Sequence, residues 1–277
     1  MKQPPLLITA SLDAGNTPYV ALSATSDRTE AHMQGLLAWL GDPCTEKVVF
    51  AKNCSARIRS EVLVATARNY GKELEFVQVD SSKRTVIQGK GYGEGDLIRQ
   101  VLETSEILRG ADDFIKSTGK LFCPGIRDLF SGTGEGEFFV SREFPAESIN
   151  AIRTKLSPLY GSKRGSQALG FLKLRMRIPW GLVASAPGAL VDTRLYRVNR
   201  DFYRNVLGRS YRRVQDALGY TLERAFYDDL MGHTSSVRML EISPTIIGTS
   251  GSMGTTAGEI SEAIRMEARE LALRLAP

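Results

Sequence analysis

Apolar positions in the first 120 residues fall into short blocks whose spacing switches between two periods. A buried strand is predicted at Leu6–Ala10, and a helix over Glu30–Leu40 from the spacing of Met33, Leu36, Leu37 and Leu40. Lys47–Ala51 reads as a second strand ending at Asn53, and Ile58–Asn69 as helix-like through Val62, Leu63, Val64 and Ala67. A third strand, Leu74–Val79, ends at Asp80; an amphipathic helix follows at Gly95–Leu108, and strand character returns over Asp113–Phe122. Alternating strands and helices imply an α/β fold with a Rossmann-type, mostly parallel sheet. Right-handed crossovers then bring the carboxyl ends of the strands to one edge, where Asn53, Asp80 and the Lys116–Lys120 segment converge on a ligand crevice.

Beyond residue 130 the pattern weakens. Phe130–Phe138 is glycine-rich and Leu156–Gln167 reads as an irregular loop. Helical spacing returns from Leu195 through Val198, Phe202, Val206 and Leu207, and Glu259–Leu275 is a terminal amphipathic helix. With no internal repeat and no low-complexity tract, a single domain over 1–277 is expected.

Composition narrows the function without naming it. The chain has 277 residues, 36 basic against 31 acidic, a formal net charge of +5 that favours anionic partners. Cys44, Cys54 and Cys123 form no CxxC pair, and His32 and His233 form no HExxH, so neither a disulfide framework nor a zinc site is expected. The apolar run after the N-terminus is too short for a signal-peptide core, and no stretch reaches the roughly 20 apolar residues of a spanning helix. The expected location is the cytoplasm, with any membrane contact peripheral, at the inner face. GxxxxGK[ST] does not occur, Gly248–Ser252 misses GxSxG, and the Gly89–Gly95 run carries Glu94 where a dinucleotide fingerprint needs its third glycine.

The densest chemical signal lies between Gly89 and Lys120. Glycines at 89, 91, 93 and 95 allow close approach of a ligand to the backbone, ahead of a helix whose free N–H groups suit an anion. The segment GKGYGEGDLIRQVLETSEILRGADDFIKSTGKLF resembles the centre of bacterial sugar transferases that build cell-surface polysaccharide, O-antigen included, with galactofuranosyltransferases among them. The resemblance implies a GT-A-like fold, a donor-nucleotide half over 1–130, and an acceptor half with C-terminal helices over 131–277. In that class the strand after the helix ends in an Asp-x-Asp pair that holds a divalent metal on the donor diphosphate, whereas this chain has Lys116-Ser117-Thr118-Gly119-Lys120. Two carboxylates need a bridging cation to hold a diphosphate, while two ammonium groups neutralise it directly. A metal-independent donor site with no cofactor is therefore expected, built from Asn53, Asp80, Lys90, Gly91, Glu94, Lys116, Thr118, Gly119 and Lys120.

Three further segments extend the resemblance. Glu223, near the start of a helix after Gly219, looks like the general base of inverting GT-A enzymes, with Asp192 the next catalytic candidate. Asp192 and Arg194 are expected to line the acceptor pocket, or else to fix a loop by pairing. Ser250 and Ser252, in a late Ser/Gly loop, suit an anion nest over the diphosphate. The implied activity is transfer of a sugar from a nucleotide-sugar donor to a glycan or lipid-linked acceptor. One rival stands beside it: arginines at 194, 197, 200, 204, 209, 212 and 213, interleaved with Tyr196, Tyr203 and Tyr211, also suit an RNA-binding face. The basic stretch Lys163–Arg177, followed by apolar Ile178–Val183, suits contact with anionic lipid.

Overall fold

The computed structural model describes residues 3–12, 24–53, 57–80, 82–131, 135–142, 191–240, 243–249 and 256–275. Cys54, the predicted loop at Leu156–Gln167, the basic stretch Lys163–Arg177, and Ser250 and Ser252 lie outside them.

The strands are β1 (Leu6–Ala10), β2 (Lys47–Lys52), β3 (Glu73–Gln78), β4 (Asp113–Thr118), β5 (Leu121–Phe122), β6 (Phe138–Arg142), β7 (Val191–Asn199), β8 (Val237–Met239), β9 (Ile247–Thr249) and β10 (Thr256–Ala257). The helices are α1 (Thr25–Gly41), α2 (Ser60–Asn69), α3 (Arg84–Gln88), α4 (Lys90–Thr104), α5 (Glu106–Arg109), α6 (Ile126–Ser131), α7 (Arg200–Phe202), α8 (Leu222–Leu230) and α9 (Glu262–Leu275). A π turn at Tyr203–Leu207 and 3-10 turns at Ser210–Arg213 and Asp216–Leu218 lead from α7 to α8.

Seven strands form one sheet in the order β3-β2-β1-β4-β7-β6-β8. β1 is central: Leu7 pairs with Val49 of β2 on one side and Lys116 of β4 on the other, both in parallel. Only β7 runs against the rest, with Tyr196 opposite Lys116. β5, β9 and β10 make a small second sheet directly after β4.

Period-two alternation distributes the apolar residues of β1 and β2 to two cores. Leu6, Ile8, Val48 and Phe50 pack with α1, α2 and α9 through Leu36, Trp39, Leu63 and Leu271. Leu7, Val49 and Ala51 pack on the other face with α4, α7 and α8 through Leu97, Val101, Phe202 and Phe226. Each fully buried Leu, Ile or Phe contributes on the order of 1.5–3 kcal/mol. Covering both faces is why these strands read as continuous apolar runs.

Two sequence expectations are corrected. The glycine run is a helix, since α4 starts at Lys90, ahead of the predicted Gly95. Glycine disfavours helix interiors by about 1 kcal/mol, so propensity alone reads a loop. Packing overrides it, because a Cβ at Gly95 would stand 2.3 Å from the Cβ of Tyr211. Gly89, with φ 105°, makes the break between α3 and α4. The second correction is that Leu195–Asn199 is strand, the end of β7. The i, i+4 spacing of Val198 and Phe202 straddles a strand–helix junction capped by Asn199, whose Oδ1 accepts from the N–H groups of Asp201 and Phe202. Asp113–Phe122 also divides into β4 and β5 around the turn at Gly119–Lys120.

Candidate active site

The chain steps from β1 to β2 and β3, then returns to the other side of β1 as β4, so a topological switch point lies between β1 and β4. Open α/β sheets bind ligands at the carboxyl ends of such strands. Alternation sends Phe114, Lys116 and Thr118 of β4, with Leu7 and Thr9 of β1, toward α4. There Glu94 accepts hydrogen bonds from Lys116 Nζ at 2.5 Å and from the hydroxyls of Thr9 at 3.1 Å and Thr118 at 3.5 Å. Lys116 is fully buried and also donates to Thr193 O at 2.5 Å and Thr118 Oγ1 at 3.0 Å. Burial pushes the Glu94 carboxyl up, but the charges of Lys116 and Lys90 and the bonds from Lys116 and Thr9 outweigh it, leaving the group below the usual carboxylate range.

Lys120 has a different environment. It is 4% exposed, and among the described residues its ammonium has no hydrogen-bond or ion-pair partner. Burial, then the charge of Arg28, then that of Lys90, lower its pKa to about 7. Arg28 is buried on α1 and donates from Nε and Nη2 to Ser11 O at 2.9 and 2.6 Å. His32, one turn on, accepts from Ser11 N–H through Nε2 at 3.4 Å; burial and the charges of Lys120 and Arg28 hold it well below the usual imidazole value. Phase on α1 was the available signal for Arg28 and His32, which recur at i, i+4 and i+8 with Leu36 on the buried face.

Glu223 lies in the first turn of α8, half-buried, and its Oε1 accepts from Thr193 Oγ1 at 3.0 Å. Asp192 is bound bidentately by its neighbour Arg194, Nη2 to Oδ2 at 2.6 Å and Nε to Oδ1 at 2.9 Å, and also accepts from Arg194 N–H. The pair thus fixes the start of β7. Asp216, which the sequence did not mark, accepts from Gly91 N–H at 2.9 Å and so occupies the N-terminus of α4. A Cβ at Gly89 would lie 2.4 Å from its Oδ2. Burial first, with Glu223 and Glu94 adding repulsion against the pull of Gly91 N–H and Lys90, raises Asp216 to about 6.

The structure therefore brings together Glu94, Lys116, Thr118, Gly119 and Lys120, with Lys90, Gly91 and Glu223 at the near end of α4 and α8. Asn53, at the exit of β2, is spent holding α4, its Nδ2 donating to Gly93 O at 3.2 Å. Asp80 is exposed beyond β3, two strands from the switch point, with no hydrogen bond or ion pair among the described residues. Within the arginine-rich segment Arg197 pairs with Asp113 and Arg213 with Asp229, both at 2.6 Å, while Arg204, Arg209 and Arg212 are exposed. Among the described residues no group of three His, Cys, Asp or Glu is placed to hold a metal ion, and no helix is long and apolar enough to cross a membrane.

No family model matches the chain, and no curated protein matches it in sequence. Solved structures do match. Galactosyltransferase LgtC in complex with donor and acceptor sugar analogs aligns with a TM-score of 0.50 at 11% identity, over 99% of this chain and 96% of that one. An active-site mutant of LgtC gives a TM-score of 0.50 at 10% identity over the same shares. The bifunctional glycosyltransferase WbbM aligns at 0.46 and 10% identity over 98% of this chain, which spans 44% of that protein. The chain thus has a GT-A-like α/β fold, a mostly parallel Rossmann-type sheet with a helical C-terminal part.

Proposed function

We propose that this chain is a glycosyltransferase that moves a sugar from a nucleotide-sugar donor to a glycan or lipid-linked acceptor in cell-surface polysaccharide synthesis. The observation that carries the reading is the coincidence of a GT-A-like fold, matched over nearly the full length of both chains, with a buried lysine among cations at the carboxyl end of β4 and a carboxylate, Glu223, held by Thr193 of the neighbouring β7.

A divalent ion, which the fold class commonly uses, does not fit the residues at that point. Thr118, Gly119 and Lys120 offer one hydroxyl, already bonded to Lys116, and an amine; Glu94 is neutralised by Lys116. The reading is therefore metal-independent, with the donor diphosphate held by Lys120 in the positive field of Arg28 and Lys90.

For the chemistry, Glu223 takes the proton of the acceptor hydroxyl as its oxygen forms a bond to the anomeric carbon. The bond from that carbon to the diphosphate oxygen breaks, and its electron pair leaves with the nucleoside diphosphate, whose charge Lys120 stabilises. Attack opposite the leaving group inverts the anomeric centre. Thr193 aims the Glu223 carboxylate through its hydroxyl, and the Asp192–Arg194 pair fixes the start of β7, the strand that carries Thr193.

The same edge of the sheet offers a route to a lipid-linked acceptor. On α3, Val86 and Ile87 are 51% and 76% exposed, beside exposed Lys83 and Arg84 and with no carboxylate from Ser82 to Gly93. Such a basic, aliphatic turn suits an anionic lipid surface.

Thermal-shift measurements with nucleoside diphosphates in EDTA, followed by transfer assays with the nucleotide sugar that responds, test the reading. Stabilisation by one nucleotide and transfer unchanged by EDTA are expected. Transfer lost in EDTA and restored by manganese or magnesium overturns the metal-free site. Absence of any nucleotide response, alongside salt-sensitive RNA binding, overturns the transferase reading in favour of the basic-face rival.

A further inference from the structure

Resting on the donor site just proposed, we infer that the Lys120 site binds a diphosphate together with a proton: the anion supplies the counter-charge that this buried amine lacks among the described residues, and Lys120 becomes protonated as the anion arrives.

The backbone that carries Lys120 is fixed from several sides. Gly119 N–H donates to Thr9 O at 2.8 Å, Trp39 Nε1 donates to Leu121 O at 2.8 Å, and Leu121 pairs with Gly248 of β9. α1 lies so close that a Cβ at Gly35 would stand 2.4 Å from Gly119 O. The turn is thus built into the switch point rather than draped over it.

Among the described residues, every charged group that bears on the amine is of its own sign. α1 contributes Arg28 and a His32 kept neutral by its burial, and α4 contributes Lys90. The carboxylate of this edge, Glu94, is taken by Lys116 at 2.5 Å. Two lysines four residues apart therefore differ in kind: Lys116 is one half of a compensated ion pair, and Lys120 is an amine among cations. A buried charge without a partner is costly, and the amine relieves the cost by giving up its proton. The lowering of Lys120 to about 7 agrees with this. A bound diphosphate reverses the balance, because an adjacent anion favours the ammonium form. Linkage makes the effect mutual: an anion that raises the affinity of Lys120 for a proton binds more tightly once that proton is on.

The sign follows from the resting value. Below it Lys120 is already charged and binding takes up no proton. Above it binding must add one, so affinity falls by about tenfold per pH unit, as for any single-proton linkage.

Calorimetry in two buffers of different ionisation enthalpy, at pH 6 and pH 8, reads the proton directly. Inorganic pyrophosphate, UDP, GDP, ADP and CDP are titrated into the full chain and its Lys120→Arg variant, in which the charge is permanent; protons belonging to the ligand cancel in the difference. At pH 8 the wild-type protein should take up close to one proton more than the variant, and at pH 6 the two should agree. A nucleotide that binds with the same uptake to both proteins overturns the proton linkage and leaves the transferase reading standing. Pyrophosphate bound with the extra proton while no nucleotide binds upholds the pocket and overturns the transferase reading. No anion bound at either pH overturns both. If Lys120→Arg does not fold, the wild-type profile decides: a nucleotide affinity that stays flat from pH 7 to pH 9 overturns the proposal.

Discussion

Removing the carboxylate of Glu94 should be among the most destabilising single changes open to this chain. Glu94→Gln leaves the fully buried Lys116 without its 2.5 Å partner, while the bonds to Thr193 O and Thr118 Oγ1 persist. Breaking a buried pair from one side costs about 3–5 kcal/mol. For domains of this size each kcal/mol lowers the Tm by roughly 2–4 °C, so a drop of about 6–20 °C is expected. Removing both charges with Glu94→Gln and Lys116→Met restores most of the loss, because no orphaned ion remains. The gap between wild type and Glu94→Gln also has a sign in pH. The folded Glu94 carboxyl is held low, so its contribution is fully present above the unfolded value of about 4.3 and is lost as pH falls through the folded value. Urea unfolding of the four proteins of this cycle, at neutral and acid pH, measures both effects. A loss under about 1 kcal/mol, the worth of an exposed pair, or a double variant no more stable than the single one, would refute the account.

Glu223→Gln should lower turnover by about 10²–10⁴-fold while leaving nucleotide affinity and Tm near wild type, since the amide still accepts from Thr193; near-normal turnover removes Glu223 as the base. Asp216 is raised in the folded protein, so ionising it opposes folding: the penalty accumulates from the unfolded value near 3.9 to about 6 and persists above. Asp216→Asn, which still accepts from Gly91, should therefore be more stable than wild type at pH 8 and no different below about pH 4, and a pH-independent difference in chemical denaturation contradicts the assignment. Val86→Ser combined with Ile87→Ser should reduce co-sedimentation with phosphatidylglycerol vesicles without changing transfer to a soluble acceptor; unchanged vesicle binding disposes of the α3 contact.

The two-sided burial of β1 to β4 made the parallel half of the fold legible, because Leu6–Ile8, Val48–Ala51 and Phe114–Ile115 are apolar on consecutive residues. What misled was glycine. The run at 89 to 95 has the composition of a phosphate loop, yet it is the close-packed start of α4, and the anion at that helix end is the chain's own Asp216. Local propensity contains no record of Tyr211, more than a hundred positions on, whose Cβ claims the space a side chain at Gly95 would need. β7 was obscured likewise, its apolar spacing running on into α7 through the Asn199 cap.

The two lysines mark where sequence reasoning about the site could have gone further and where it stops. In a strand buried on both faces, Lys116 is in phase with Phe114 and must be buried, so it demands a carboxylate from the helix on that face. Glu94 satisfies the demand from sequence alone, because it shares the i, i+3, i+4, i+7 stripe of Leu97, Ile98 and Val101. Lys120 carries no such phase. It sits in a turn, where a lysine is ordinarily solvated, and its burial comes from α1 and β9 closing on the Gly119–Lys120 backbone. The pair expected to share a diphosphate therefore divides the work: Lys116 is bound up in holding α4 to β4, whereas Lys120 has no anionic partner among the described residues and is left to meet one from outside.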